Sequence, residues 1–203
     1  MALELVPLRA EHADDYLAFF DRAFVDNPAW SGCYCAFYDD PCADVDWDGA
    51  QGLAHRAARG AQIRSGRAHG VLALDGAEIV GACNAGPRAA FGNLRIFGAA
   101  VDDPDEPVGA VMCFVIAPER RREGIATALL GRAERYFREL GLSVAEGYPR
   151  TLPSDPALPT SAWYYKGSPA MYERAGYAPH RRFERFTCVR KRLQVGDGSA
   201  RAR

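Results

Sequence analysis

The sequence predicts one α/β domain in which strands and helices alternate along the chain, and three observations support this prediction. The chain has 203 residues, 48% hydrophobic and 25% charged, which is the size and composition of one globular core. Residues 108–117 are continuously apolar, as expected of a strand that is buried on both faces. They are followed by residues 123–140, whose apolar positions recur at helical spacing and which end at Gly141.

The other elements come from local patterns. Asn27-Pro28 ends an amphipathic run, because the residue before proline avoids the helical conformation. Asp75-Gly76 lies between two apolar runs and indicates a hairpin. Ser168-Pro169 starts a short helix. In chain order we expect a strand at 3–8, a helix at 11–25, a weaker helix at 49–64, hairpin strands at 69–74 and 78–84, an irregular stretch at 85–106, a strand at 143–146, a long loop at 147–167 and final strands within 177–193. Residues 1–193 then form the domain, and residues 194–203 a flexible tail.

Charge and cysteine usage exclude several classes of protein. Twenty-five basic and 26 acidic residues give a formal net charge of -1, which argues against a nucleic-acid partner. No signal peptide and no apolar run of membrane-spanning length is present, so we expect a cytoplasmic protein with no membrane partner. The six cysteines are irregularly spaced and contain no C-x-x-C pair, which is typical of reduced thiols.

Residues 121–126 carry the pattern of an anion-binding loop. The letters R-R-E-G-I-A fit R/Q-x-x-G-x-G/A and lie between the apolar strand and the long helix. Unpaired amides at a helix N-terminus favour an anion, Gly124 and Ala126 allow close approach to the backbone, and Arg121 and Arg122 add charge. A solvated arginine-rich turn would show the same letters. The loop lacks the Gly-Lys-Ser/Thr ending of a Walker loop.

These residues resemble a known family. Residues 114–130 look like motif A of the GNAT superfamily, the GCN5-related N-acetyltransferases, and residues 168–177 (SPAMYERAGY) are similar to its downstream motif. The order of predicted elements over residues 3–193 is also similar. The resemblance implies a mixed, bent sheet that is splayed at its middle, with helices on both faces. It further implies acetyl-CoA as co-substrate and a small amine as acceptor, which attacks directly in a ternary complex.

The resemblance also implies roles for individual residues. The backbone of Phe114, Val115 and Ile116 would meet the acyl carbonyl and the pantetheine arm. Tyr172 would protonate the departing thiolate, although a core aromatic on a short helix is the alternative. The fourth strand lacks the glutamate that some members use as base, so Glu146 is the nearest candidate, acting through water; a charge at a strand end is its alternative. The pyrophosphate would be held around Arg121, Arg122, Glu123, Gly124, Ile125, Ala126 and Thr127.

Two segments are expected to bind the acceptor. The Cys-Tyr-Cys segment (residues 30–38) and the Cys-Asn segment (residues 83–88) together resemble a bacterial GNAT subgroup with Cys-Tyr-Cys and Cys-Asn-x-x-Pro-Arg segments. We expect them to meet near the thioester, where Arg88 would bind an acceptor carboxylate or an acidic loop such as Asp39-Asp40. The candidate acceptor-binding residues are Trp30, Cys33, Tyr34, Cys35, Tyr38, Asn84 and Arg88.

Other interpretations of these features stay open. The cysteines are best explained by packing; the alternatives are a metal site of Cys33, Cys35, Cys42 and His55, which lacks the usual zinc spacing, and an acyl-carrying thiol at Cys113, Cys83 or Cys35. We therefore expect no metal. The acidic stretches at 39–48 and 102–106 either attract a cationic amine or are simply solvated. The rival functions are a non-catalytic acyl-CoA sensor or interaction domain and a metal-binding regulatory protein. Nothing in the sequence excludes a homodimer.

Overall fold

The fold is described from a computed structural model, which places residues 3–26, 28–38, 52–97, 106–150 and 164–194. The strands are β1 (Glu4–Pro7), β2 (Val71–Asp75), β3 (Glu78–Pro87), β4 (Val108–Ile116), β5 (Val144–Gly147), β6 (Ala178–Arg182) and β7 (Thr187–Arg192). The helices are α1 (Ala13–Arg22), α2 (Gly52–Arg64), α3 (Ile125–Glu139) and α4 (Pro169–Arg174). Short 3-10 turns at Ala10–His12, Pro28–Trp30, Ala36–Tyr38, Arg88–Ala90, Gly92–Phe97 and Pro118–Arg120 connect them.

The seven described strands form one mixed sheet in the order β1-β2-β3-β4-β5-β7-β6. Neighbouring strands are antiparallel except for β4 and β5, which run parallel. A parallel pair needs a crossover connection, and α3 supplies it. The sheet confirms the predicted mixed α/β class.

The parallel pair separates part of the way along β4. The strand β5 pairs with Val108 to Val111 and ends at Gly147, whereas β4 continues to Ile116. Beyond the paired part, the Phe114 amide donates a hydrogen bond of 2.6 Å to the carbonyl oxygen of Tyr165. The segment just before α4 therefore lies beside the part of β4 that β5 does not reach, so the two strands part at the middle of the sheet.

Helices cover both faces of the sheet. Leu17 and Phe20 of α1 pack in one core cluster with Leu72 of β2, while Leu129 and Phe137 of α3 pack in a second cluster on the other face. The approach of α3 depends on Gly109 of β4, because a Cβ atom there would overlap the Phe137 ring. This close packing fixes where the N-terminus of α3 lies relative to β4.

Most predicted elements are present, but α1 ends at Arg22 rather than at residue 25, and the expected end of the second hairpin strand was wrong. The strand β3 continues through Asn84 to Pro87, although residues 85–106 were expected to be irregular. Ala85 and Gly86 have low strand propensity, but they pair with Val111 and Ala110 of β4 after a register shift that follows Asn84. The extension carries the Cys-Asn segment onto β4. Within the described residues, none of the helices is long and apolar enough to cross a bilayer.

Candidate active site

The N-terminus of α3 presents an exposed turn without a side-chain cap. Gly124 is the N-cap residue, its φ of 82° is left-handed, and no side chain of the described residues caps the helix. Arg122 also has a left-handed φ, of 72°. A Cβ atom built on Gly124 would meet nothing within 4 Å, so the space in front of the helix is open. Free amides and the helix dipole make this turn suitable for an anion.

The arginines of this loop have different partners. The Arg121 guanidinium forms an ion pair with Asp26, and its Nε donates to the Ile116 carbonyl oxygen at 3.3 Å. Arg120 bonds to Glu123 at 2.9 Å and to Asp75 at 2.8 Å. Arg122 is exposed. Arg120 and Arg121 therefore fix the loop against the rest of the fold, and Arg122 is the arginine that faces solvent.

Tyr172 lies where β4 and β5 part. Its side chain is fully buried, and its hydroxyl donates to the carbonyl oxygen of Lys166 at 3.0 Å. A Cβ atom on Gly147, the last residue of β5, would lie 2.7 Å from that hydroxyl oxygen, so the phenol rests directly on the strand end. Burial raises the pKa of Tyr172 well above its ordinary value of 10.0, so the phenol holds its proton at neutral pH.

Glu146 is the centre of a buried ion-pair cluster. Its Oε1 accepts hydrogen bonds from Arg88 at 3.0 Å and from Arg190 at 2.6 Å, and its Oε2 accepts one from the Tyr148 hydroxyl at 2.5 Å. Arg190 also contacts Glu106 at 3.0 Å. Both carboxylate oxygens are therefore engaged within the protein. Arg88, for which an acceptor carboxylate or an acidic loop was expected, pairs with Glu146 and lies 3.9 Å from Glu106, the last residue of the acidic stretch at 102–106; Asp39 and Asp40 lie outside the described residues.

Replacing Arg88 by alanine is expected to lower the free energy of unfolding by about 3–5 kcal/mol, because it leaves Glu146 without one of its buried partners. Thermal and urea unfolding would measure the loss. The matched control is Arg64→Ala, which breaks an exposed ion pair with Asp14 and should change stability far less. An unchanged melting temperature together with a raised acceptor KM would instead assign Arg88 to substrate binding.

The structure brings the two predicted acceptor segments together on β4. The Asn84 side-chain amide donates to the Cys35 carbonyl oxygen at 3.0 Å, and Asn84 lies opposite Cys113 in the sheet. The Cys35 and Cys113 thiols are hydrogen-bonded. Left-handed φ values of 45° at Tyr34 and 55° at Cys35 produce the turn that directs this segment toward the sheet. The segments therefore meet one residue away from Phe114.

The remaining residues of the Cys-Tyr-Cys segment have identifiable contacts. The Tyr34 hydroxyl donates to Asp21 of α1 at 2.6 Å, and Trp30 packs edge-on against Tyr165 with 4.8 Å between ring centroids. Tyr38 is buried. Cys33 follows Trp30 in a tight turn, because its amide donates to the Trp30 carbonyl oxygen at 3.0 Å. Tyr34 thus anchors the segment to α1, while Trp30 and Tyr38 lie toward the end of the long loop.

The environment of the thiols favours packing over chemistry. Burial raises the pKa of Cys83 well above 9.0, a hydrogen bond that the Cys35 thiol donates to Cys113 together with burial does the same for Cys35, and burial raises the pKa of Cys33 to about 12. Thiols that keep their protons are weak nucleophiles. Nδ1 of His55 donates to the Gly32 carbonyl oxygen at 2.8 Å. The described parts of the chain contain no group of three or more His, Cys, Asp or Glu side chains that could hold a metal ion; Cys42 lies outside them.

Sequence reasoning missed one buried residue next to Tyr172. The Lys166 side chain is 4% exposed, and its Nζ lies 4.6 Å from the ring centroid of Tyr38. Burial lowers its pKa to about 7. A sequence signal existed: the chain has two lysines, and this one follows Tyr164-Tyr165 directly before the downstream motif.

The lowered pKa of Lys166 predicts a pH-dependent stability. Between about pH 7 and the ordinary lysine pKa of 10.5, the unfolded chain binds more protons at this residue than the folded chain does. The free energy of unfolding of the wild type therefore increases as the pH rises through this range. Lys166→Met should lack this increase in the free energy of unfolding. Urea unfolding at pH 7 and pH 9.5 would show a difference in the free energy of unfolding between the two proteins that grows with pH. A difference that is equal at both pH values would contradict the lowered pKa.

The comparison with protein families agrees with this geometry. The model of the acetyltransferase (GNAT) family matches residues 7–147, and the chain belongs to that family. It is therefore an acetyltransferase, and acetyl transfer is its general reaction. No curated protein matches the sequence.

Solved structures extend the likeness over nearly the whole chain. An acetyltransferase of the GNAT family from Streptococcus pneumoniae is 15% identical, with a TM-score of 0.54 and coverage of 95% of this chain and 99% of its own. The Salmonella typhimurium protein YncA, determined with its cofactor acetyl-CoA, is 14% identical, with a TM-score of 0.52 and coverage of 98% and 97%. Phosphinothricin acetyltransferase of Sinorhizobium meliloti, determined with acetyl-CoA, is 15% identical, with a TM-score of 0.52 and coverage of 95% and 89%. At these identities the likeness shows the shared fold.

Proposed function

We propose that the protein is an acetyl-CoA-dependent N-acetyltransferase, in which a small amine attacks the acetyl group directly in a ternary complex. The observation that supports this best is the position of Tyr172, a protonated phenol lying where β4 and β5 part. The position corresponds to the downstream motif of the family. The gap between β4 and β5, which we call the donor cleft, also borders the residues of β4 that lead to the α3 N-terminus.

The residues present fit a CoA donor. The exposed turn from Arg122 to Thr127 offers amides, a helix dipole and open space for the pyrophosphate. The backbone of Phe114 to Ile116 would border the pantetheine arm. The Phe114 amide bonds to Tyr165, so an acyl carbonyl at this amide would take the place of the Tyr165 carbonyl. Bound acetyl-CoA supplies an activated acetyl group in the form of a thioester.

The chain's own residues support direct transfer to an amine. Tyr172 holds a proton at its hydroxyl and would give it to the departing sulfur. Cys35 and Cys83 keep their protons, so an acyl-cysteine route is disfavoured. The Cys-Tyr-Cys and Cys-Asn segments meet on β4 beside Phe114, and we assign the acceptor to this face. Glu146 is bound to two arginines and a tyrosine, which leaves the general base to be found elsewhere.

Thiol release tests this function. Purified protein would be incubated with acetyl-CoA and a panel of alkylamines, arylamines, polyamines and amino acids, and the acetylated product would be verified by mass spectrometry. We expect thiol release that depends on the amine and an amide product. Calorimetric binding of CoA without thiol release for any amine would overturn the enzymatic proposal and favour the acyl-CoA sensor.

A further inference from the structure

Lys166 connects the donor cleft with the acceptor face. Its carbonyl oxygen accepts the hydrogen bond of Tyr172, and the preceding carbonyl, that of Tyr165, accepts the hydrogen bond of Phe114. Its side chain extends to Tyr38, which belongs to the Cys-Tyr-Cys segment. One residue thus contacts the phenol that would protonate the sulfur and the segment assigned to the acceptor.

The amine of Lys166 lies among aromatic rings. The distances from Nζ to the ring centroids are 4.6 Å for Tyr38, 5.6 Å for Tyr165, 5.7 Å for Tyr148 and 5.9 Å for Phe186. The Tyr38 and Tyr165 side chains are hydrogen-bonded to each other. Rings attract an ammonium group through their faces but carry no full charge, so they hold the amine in place and tolerate both of its protonation states.

The carboxylate that sequence reasoning favoured as base is occupied. Glu146 accepts hydrogen bonds from Arg88, Arg190 and Tyr148, so both of its carboxylate oxygens already have partners within the protein. The described residues of β4 from Val108 to Ile116 include no acidic side chain. Among the described residues, Lys166 is a titratable group next to Tyr172 whose protonation state can change at neutral pH.

We propose that Lys166 is the general base that accepts a proton from the acceptor ammonium. The inference rests on the proposed N-acetyltransferase function. Neutral Lys166 takes one proton from the ammonium, and the amine nitrogen, now neutral, forms its bond with the acetyl carbon as the carbon–sulfur bond breaks. Tyr172 gives its proton to the sulfur and regains one from the second N–H that the nitrogen loses. Lys166 releases its proton to solvent, so one amide, one thiol and one proton result.

The electrostatic environment suits this role. Among the described residues, the titratable groups that face Lys166 include Tyr38, Tyr148 and Tyr165 from three connecting segments, Cys113 from β4, and Arg150. The pKa of Lys166 is lowered to about 7, chiefly by burial; Cys113 raises it and the Arg150 charge contributes to lowering it. A base whose pKa lies near the working pH is unprotonated in a large share of the molecules and still has a good driving force for accepting a proton.

Kinetics over a range of pH separates a base from a structural residue. We would compare wild type with Lys166→Met, a variant of similar length that suits the aromatic surroundings. With 2-phenylethylamine, whose ammonium has a pKa of about 10 like that of a lysine, kcat/KM at pH 7 should fall by about 10²- to 10⁴-fold. The deficit should shrink as pH rises, because the amine then arrives neutral. With aniline, which is neutral at pH 7, the deficit should be much smaller. If 2-phenylethylamine is not accepted, the best alkylamine of the panel replaces it.

The ionisation of Lys166 can be measured independently of any acceptor. Lys191→Arg leaves Lys166 as the single lysine, so carbon-13 labelling at the lysine Cε gives one side-chain signal to titrate by NMR. A midpoint near pH 7 supports the inference, and a midpoint above pH 9 overturns it. A deficit of Lys166→Met that is equal at every pH and for both amines also overturns it, since it marks a structural role. In both of these cases wild type still transfers acetyl groups and the proposed function stands. If wild type releases no thiol with any amine, the proposed function fails and the inference fails with it.

Discussion

Replacing Tyr172 by phenylalanine is expected to lower kcat by about 10²- to 10⁴-fold while leaving CoA affinity nearly unchanged, because only the hydroxyl is removed and general acids contribute on that scale. The ring should keep its packing on Gly147 and its edge-on contact with Tyr177, whose centroid lies 5.1 Å away. Steady-state thiol release would give kcat, and calorimetry the CoA affinity.

The control for Tyr172 lies in the same cluster. Tyr177→Phe removes the hydroxyl of the neighbouring buried ring, and because Tyr177 follows α4 rather than lying on the end of β5, kcat should change little. Comparable melting temperatures for the two variants would exclude a difference in folding. Turnover by Tyr172→Phe at the wild-type rate would make Tyr172 a packing residue and would leave protonation of the sulfur to another group.

The parts of the fold that sequence predicts well are those with a strong local pattern. The strand β4 is an uninterrupted apolar run and α3 an amphipathic one, and each ends within two residues of its predicted boundary. The end of β3 was missed because Ala85 and Gly86 have no strand propensity of their own. They are extended because β4 lies beside them, and a partner strand that is distant in sequence is invisible to a local pattern.

The same reasoning separates the predictable part of the site from the rest. The loop before α3 is one contiguous run, so its residue types and spacing already indicate an anion site. The cluster of Arg88, Glu146 and Arg190 joins three strands or strand ends, and only the register of the sheet places those charges within 3 Å. The sequence alone was therefore equally consistent with Arg88 as a substrate ligand and with Arg88 as a structural residue.

Lys166 illustrates a third case. The type of side chain at Tyr165 gives no indication of what the backbone does at this position. The carbonyl oxygen of Tyr165 accepts a hydrogen bond from Phe114, and that of Lys166 accepts one from Tyr172. The side chain of Lys166 lies among the aromatic rings around Tyr38. Burial of a lysine follows from tertiary packing, so a sequence pattern can flag its rarity but cannot give its environment.

Replacing Gly124 by glutamate is expected to weaken CoA binding by about 10²- to 10³-fold. The new carboxylate would stand in the open space in front of α3, where the pyrophosphate is assigned. Two like charges about 4 Å apart repel by about 4 kcal/mol at an effective dielectric constant of 20, which corresponds to about three decades in affinity. Isothermal titration with CoA would measure the change.

Two controls separate this repulsion from backbone strain. Gly141→Glu makes the same substitution at the other end of α3, where φ is also left-handed, at 76°, and where a Cβ atom likewise meets nothing within 4 Å. It should lower stability to a similar extent and leave CoA affinity intact. Gly124→Ala strains φ at the site without adding charge, so it should retain more affinity than Gly124→Glu.

The order of the three variants decides the donor assignment. If repulsion at the α3 N-terminus governs binding, affinity should fall from Gly141→Glu to Gly124→Ala to Gly124→Glu, and the gap between the last two should narrow with added salt, because ions screen exposed charges. Equal CoA affinity for wild type and Gly124→Glu would show that the pyrophosphate lies elsewhere. In that case Arg122, the exposed arginine of the loop, would also lose its assigned role, since both residues belong to the same turn.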